Sequence, residues 1–323
     1  MAIRHIIHPE LYQGAKKKKN YFEGWYYKMV TKDRRHSVAF IPGISKNPED
    51  PHVFIQMFLT SSEDEETGLQ TDYVRFPSDD FSFDDTPFNV MIKDNTFSKD
   101  ALDINLKTVH GNVSGTFRFT GITPIKTSLL VPNVMGPFGY LGFMECYHGI
   151  ISMTHGISGT LVIGDKTIGF DGGKGYIEKD WGRSFPEYYI WIQSNHFKNP
   201  KTSLLVSYAT IPFLGFSFKG LITNLLIEGR EYRFATYNGA KVKSFETGDR
   251  HVLITMKKGP YRLDVKAETT SSVDLASPRN GKMIETIKEG LSGTVTFSLS
   301  KKGRVIHEDT GTSAGIEIMM DHA

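Results

Sequence analysis

Short runs rich in Val, Ile, Phe, Tyr and Thr recur along the whole chain, broken by Gly, Pro or charged clusters. Apolar and polar positions alternate within these runs, the period of half-buried β-strands. "HVFIQMFLT" and "DYVRF" flank the acidic run Glu63–Glu66 and predict one hairpin. "NVSGTFRFTGI", "GIISMTHGISGTLVIG" and "KTIGFDGGKGYIEKD" continue the pattern. It returns in "TSLLVSYATIP", "GLITNLLIEG", "REYRFATYNG", "HVLITMKKG", "YRLDVKAE" and "GTVTFSLS". No strong helical stripe of about a dozen residues appears. "GKMIETIKEGL" is the one helix candidate, and its short pattern fits a strand as well.

Strand runs fall on both sides of the glycine-rich "FDGGKGY". The pattern predicts an all-β chain of two domains, residues 1–172 and 173–323, each near the size at which a barrel or sandwich buries a core. The segment from Thr123 to Met144, "TPIKTSLLVPNVMGPFGYLGFM", is long, apolar and broken by Pro and Gly. Such connections either carry function or pack as an irregular cap. The stretch from Ser203 to Gly229 has the length of a membrane span, but Pro212, Gly215, Lys219, Gly220 and Asn224 interrupt it. It reads instead as a hairpin with an apolar tip at Phe213, Leu214 and Phe216, suited to a lid or to peripheral contact with a membrane.

Candidate chemistry concentrates in "GYIEKDWGRSFPEYYIWIQSNHF", residues 175–197. In an extended chain Tyr176, Glu178 and Asp180 share one face, with Ile177 and Lys179 on the other. After the turn, Glu187, Tyr189, Trp191, Gln193 and Asn195 alternate together. "NYFEGWYYK" similarly sets Tyr21, Glu23, Trp25 and Tyr27 on one face, and "FIQMF" sets Gln56 between Phe54 and Phe58. All three tryptophans thus sit in strands with acids or amides. Rings with a few aimed polar groups are the usual lining of a small-molecule pocket. Asp180 and Trp181, at the end of a strand, equally suit a structural corner in which a carboxylate accepts an indole N–H or caps a turn.

Composition removes several classes. Lys and Arg number 38 against 36 Asp and Glu, a balance that advertises no nucleic-acid partner. The run Lys16–Lys19 reads as a solvated segment. Cys146 is alone, so neither a disulfide nor a CxxC metal site exists within the chain. The first residues lack a secretory h-region, which leaves the cytoplasm as the expected compartment. No GxSxG elbow, P-loop or helix-opening GxGxxG occurs, so no nucleotide cofactor is expected. His148 and His155 are seven apart, and a straight strand sends them to opposite faces. Each reads as a buried, hydrogen-bonded histidine, and no metal is expected. "DDFSFDD" resembles diphosphate-binding acid clusters only superficially, because its Phe81/Phe83 alternation marks a strand.

At "YFEGWYYK", "MGPFGYLGFMECYHGIISM", "GGKGYIEKDWGRSFPEYYIWIQSNHF", "IPFLGFSFKGLI", "YRFATYNGAK" and "GKMIETIKEGLSGTVTFSL" the chain resembles the tocopherol cyclase family. It is more distantly similar to carotenoid hydratases and lipocalin-like Diels–Alderases. The resemblance implies two tandem lipocalin-like, calycin-type antiparallel β-barrel or sandwich domains holding a hydrophobic small molecule. It also implies cofactor-free ring closure on a prenylated phenol or quinol: protonation of an alkene, shielding of the cation, and attack by the phenol oxygen. A carboxylic acid in an apolar pocket can supply the proton, and aromatic faces can shelter the cation. On that reading Glu178 or Asp180 is the acid, Glu178 first, with Glu23 a third candidate. Trp25, Tyr27, Tyr176 and Trp191, with Trp181 beside them, line the pocket, and Gln56, Gln193 and Asn195 hold the head group. A carrier of a hydrophobic molecule, or a hydratase-like lyase, would use the same residues.

Overall fold

A computed structural model describes residues 3–61, 69–269 and 271–320. The acidic run Glu63–Glu66 lies outside the described residues. The chain is nearly all β, as its alternation predicts, in two antiparallel sheets of twelve and eleven strands. "GKMIETIKEGL" is not a helix. It opens the strand Lys282–Lys301, which pairs with Val273–Arg279 and with Arg304–Met319.

The chain divides into two compact units, 1–185 with 275–286, and 186–274 with 287–323. The division falls after Phe185 rather than at the expected Gly172/Gly173 turn. The reason is pairing: Gly173–Gly182 lies between Phe22–Val30 and Cys146–Ile163 and completes the first sheet. Residues 275–286 return to the first unit and are fastened there by backbone-directed side chains. The Gln56 amide donates to the Ala276 carbonyl at 3.0 Å and accepts from its N–H at 2.9 Å. The Ser45 hydroxyl donates to the Gly281 carbonyl at 2.7 Å. Gly281 has φ +74°, and a Cβ there would stand 2.2 Å from the Tyr21 backbone nitrogen, so only glycine closes this approach.

In the first unit the pairing path is open, from Leu69–Phe76 at one end to Phe81–Asp85 at the other. The sheet curls until Asp72 accepts the Val109 N–H at 2.7 Å. The enclosed face carries Trp25, Tyr27, Phe40, Met57, Phe97, Phe117 and Ile177. Burying each such side chain contributes roughly 1.5–3 kcal/mol. The second unit encloses Ile190, Ile192, Leu204, Val206, Phe234, Val265 and Phe297 in the same way. Its strands Thr202–Phe213 and Phe216–Ile227 form the expected hairpin, turned at Leu214 (φ 48°) and Gly215 (φ 89°), both left-handed as a two-residue hairpin turn requires. Leu214 and Phe216 are exposed at its tip. Among the described residues no helix is long and apolar enough to cross a membrane.

Candidate active site: an imidazole between two carboxylates

The strand Gly173–Gly182 is central to the first unit, and its two faces carry different chemistry. Register decides which neighbours each face meets, because residues directly opposite across a ladder share a side. On one face Lys28 lies opposite Tyr176, Tyr26 opposite Glu178, and Gly24 opposite Asp180. From the other neighbouring strand Ile150 meets Glu178 and His148 meets Asp180. Tyr26, Lys28, Tyr176 and Glu178 are buried, while His148 and Asp180 are partly exposed.

Within this group His148 stands between two carboxylates, hydrogen-bonded to Asp180 and at ion-pair distance from Glu178. Its Nδ1 lies 2.9 Å from Asp180 Oδ1, and its Nε2 lies 3.4 Å from Glu178 Oε2. The Tyr176 hydroxyl donates to the same Glu178 oxygen at 2.5 Å. The His148 backbone N–H donates to Met135 Sδ at 3.3 Å, which ties the cluster to the long apolar connection. Burial alone would lower the His148 pKa, but the Asp180 and Glu178 carboxylates outweigh it and hold the imidazole up to about 9. Burial, reinforced by Glu178, pushes the Tyr176 phenol well above its usual range, so it stays a neutral donor. At neutral pH the cluster therefore stores one proton on an imidazolium between two carboxylates.

One ligand atom from each of His148, Glu178 and Asp180 lies within 4.8 Å of the others, so the three could approach a divalent cation. The carboxylates, however, sit off different ring nitrogens, and a cation could take only one nitrogen. The geometry suits a proton held between two acids better than a preformed metal centre. His155 does not join them. Two bulges in Cys146–Ile163 leave His155 opposite Gly175, five residues from Asp180, and hence on the other face. There Nδ1 meets Ser152 Oγ at 3.0 Å, the ring stands 4.6 Å from that of Phe119, and burial drives the pKa down to about 3.

The enclosed face holds the third candidate acid, Glu23, fully buried and paired with the buried Lys179 ammonium. Glu23 also accepts from the Gln13 N–H at 2.8 Å and the Tyr21 hydroxyl at 2.5 Å. Lys179 donates to the Leu11 carbonyl at 2.5 Å and lies 4.7 Å and 4.9 Å from the Trp25 and Trp181 rings. The expected grouping of Trp25 and Tyr27 with Tyr176 fails, because Tyr27 is opposite Ile177 and so one residue out of phase with Tyr176. Trp25 and Tyr27 are core, their polar atoms given to the Glu10 and Ser98 carbonyls at 2.8 Å and 3.0 Å. Trp181 stacks on Tyr147 at 5.4 Å. Asp180 turns to His148, not to that indole. Gln56 gives both ends of its amide to Ala276.

Trp191 and Gln193 belong to the second unit, where they face away from its apolar core. Trp191 lies opposite Ser207 and Glu317, and Gln193 opposite Leu205. The Tyr189 hydroxyl donates to Glu317 at 2.6 Å. Asn195 falls in the break between Tyr189–Ser194 and His196–Phe197 and is buried, whereas Glu187 precedes the strand and is exposed. Sequence reasoning missed His148 as a partner of the acids and Glu317 as a neighbour of Trp191. The only signal for His148 was its place inside the family-like word "MGPFGYLGFMECYHGIISM".

A tocopherol cyclase-like family model matches residues 134–319, more than half of the chain and all of the cluster. The chain belongs to the tocopherol cyclase-like family. No curated protein sequence matches this family member. Its fold is similar to that of CghA, solved with Sch210972, at 10% identity over 94% of this chain and 89% of that one, with a TM-score of 0.62. It is also similar to kievitone hydratase from Nectria haematococca, at 12% identity over 96% and 93%, with a TM-score of 0.52. At these identities the likeness speaks for the fold: this tocopherol cyclase-like chain shares a two-sheet, lipocalin-like architecture with proteins of divergent sequence.

Proposed function

We propose that this chain is an enzyme that isomerises a hydrophobic phenol or quinol carrying a prenyl tail, closing a chromanol-type ring without a cofactor. The observation that carries the reading is the protonated His148 set between Glu178 and Asp180, on a partly accessible face of a tocopherol cyclase-like chain. Glu178 takes this proton from His148 Nε2 and, as a neutral acid oriented by Tyr176, passes it to the less substituted alkene carbon. The alkene π pair forms the new C–H bond, leaving a tertiary cation. A lone pair of the phenol oxygen closes the C–O bond, and the phenol proton returns to the carboxylate–imidazole pair. Atoms and electrons balance with no oxidant or reductant. Asp180 orients His148 and holds up its pKa. Gln193 and Asn195, expected to hold the head group, lie in the second unit and take no part in this step.

A carrier function is favoured by a different feature, a cavity of about 380 Å³ in the first unit whose lining includes Ile122, Ile125 and Ile150 together with the polar Glu10, Lys99 and Asn133. A farnesylated hydroquinone incubated with the protein in deuterated water separates these readings. Ring closure yields a chromanol with one carbon-bound deuterium, hydration yields a tertiary alcohol, and a carrier returns the quinol unlabelled. Glu178→Gln should lower turnover by a factor of ~100 to 10,000 with little change in binding. Unlabelled quinol from the wild-type protein would overturn the enzyme reading. Full turnover by Glu178→Gln would move the acid to Asp180.

A further inference from the structure

Two of the most exposed apolar side chains of the first unit stand side by side on a turn. Leu129 and Leu130 are 88% and 77% exposed. They take the two central positions of a tight turn closed by Ser128 and Val131, whose backbones exchange hydrogen bonds at 2.9 Å and 3.1 Å. Such positions usually carry Gly, Asn, Asp or Pro, which leave little apolar surface in water. The turn is braced. The Tyr140 hydroxyl donates to the Leu129 carbonyl at 2.6 Å. Behind it the Asn133 amide donates to the Ile6 carbonyl and accepts the Met135 N–H, each at 3.0 Å. Ile125, Val134 and Met135 are buried on either side, so the segment packs its other apolar residues and turns these two outward. A leucine exposed singly needs no explanation, but a braced pair with the exposed Tyr140 beside it marks a contact surface.

We propose that the Leu129–Leu130 turn docks the first unit on a lipid bilayer, with the leucines at the acyl-chain boundary and Tyr140 among the headgroups. The chemistry around the turn fits that partner. From Ile122 to Met144 the chain has no acid, and its one Lys or Arg is the exposed Lys126. Leucines, a tyrosine ring and a lysine are the groups that settle, in that order outward, at a membrane surface. A second observation points the same way. Thr127 and Pro132, two residues before and two after the leucine pair, line the cavity of about 380 Å³ together with Ile122 and Ile125. Docking at the turn sets the rim of that cavity against the lipid, where a poorly water-soluble molecule enters or leaves. Two leucines and one lysine give a weak, reversible contact and not a permanent anchor. The inference names a partner of the first unit and holds whether or not the molecule in the cavity is turned over.

The test is flotation of the full chain with vesicles of phosphatidylcholine alone and of phosphatidylcholine mixed with phosphatidylglycerol. The wild-type protein should float with both, and more strongly with the anionic mixture. Leu129→Ser combined with Leu130→Ser should weaken binding at least about tenfold and leave the melting temperature unchanged, since both side chains already face solvent. Lys126→Gln should weaken binding to the anionic mixture about fivefold and leave binding to phosphatidylcholine as it was. Leu130→Trp adds a direct readout of insertion. The native Trp25, Trp181 and Trp191 are buried, so lipids brominated on their acyl chains should quench only the tryptophan placed at 130. A wild-type protein that stays apart from the vesicles overturns the proposal, as does a serine variant that floats as well as the wild type. Binding lost only on Leu214→Ser overturns it too, by moving the contact to the hairpin tip of the second unit. A wild-type dimer in sedimentation that the serine variant dissociates, with no flotation, gives the turn to a second copy of the chain and sinks the lipid reading.

Discussion

The two faces of the strand Gly173–Gly182 hold nearly the same inventory to opposite ends. Each has a carboxylate, a cation, a tyrosine hydroxyl and a histidine. On the enclosed face Glu23 is shared among Lys179, Tyr21 and the Gln13 backbone, and His155 is kept neutral by burial. On the other face Glu178 faces an imidazole that two acids keep protonated. A fully partnered buried ion pair fixes structure, and breaking it leaves an uncompensated charge in the core. A proton shared between unequal sites on a partly accessible face can move. Residue type does not separate Glu23 from Glu178; face and partner do.

The largest effect that would break this contrast is on the enclosed face. Lys179→Met removes the cation and leaves the Glu23 carboxylate buried, which should cost about 3–5 kcal/mol of stability. Urea unfolding should show the midpoint falling sharply. An unchanged midpoint would mean that the inner pair is not structural, and Glu23 would return as a candidate acid.

The histidines give the next test, through pH. His148 is held up to about 9 from its ordinary 6.5, so the native state keeps a proton that the unfolded chain gives up between those values. Its stabilisation is complete below about pH 6.5 and is lost as pH rises through 9, a change on the order of 3 kcal/mol. His155 runs the other way, from 6.5 down to about 3. Its contribution is present above about pH 6.5 and is lost as pH falls toward 3, because only the unfolded chain takes up that proton. Urea midpoints measured from pH 6 to 9.5 should decline in the wild-type protein and decline much less in His148→Gln. Parallel curves for the two proteins would remove the stored proton from the mechanism.

Much of this was legible as alternation. Tyr176, Glu178 and Asp180 do share a face, Trp25 and Tyr27 share another, and the apolar stretch after Ser203 is a hairpin. Alternation describes one strand at a time, however, and the relation between strands depends on register. The same words in "NYFEGWYYK" and "GYIEKDWG" therefore suggested one pocket where the pairing of Tyr27 with Ile177 makes two faces. The seven-residue spacing of His148 and His155 speaks only to those two and says nothing about acids on a neighbouring strand. Gln56 looked like a ligand amide because its partner, the Ala276 backbone, lies far along the chain. The domain boundary slipped for the same reason, since residues 275–286 rejoin the first unit through contacts no local pattern records.

The smallest expected effect is that of metal, and it sharpens what the outer face is. A divalent cation entering among His148, Glu178 and Asp180 must displace a proton held up to about 9, and so competes poorly at pH 7. It must also draw one carboxylate away from its own ring nitrogen, losing either the 2.9 Å contact with Asp180 or the 3.4 Å approach of Glu178. Millimolar Zn²⁺ or exhaustive chelation should thus move the melting temperature at pH 7 by no more than about 1 °C. Turnover of the farnesylated hydroquinone should be equally indifferent. The informative comparison is the same titration at pH 9.5, where the imidazole has lost its proton and any affinity for metal should rise. Strong stabilisation by Zn²⁺ already at pH 7, abolished in His148→Gln, would make the cluster a metal centre. It would then be the cation, rather than a stored proton, that distinguishes the outer face from the inner one.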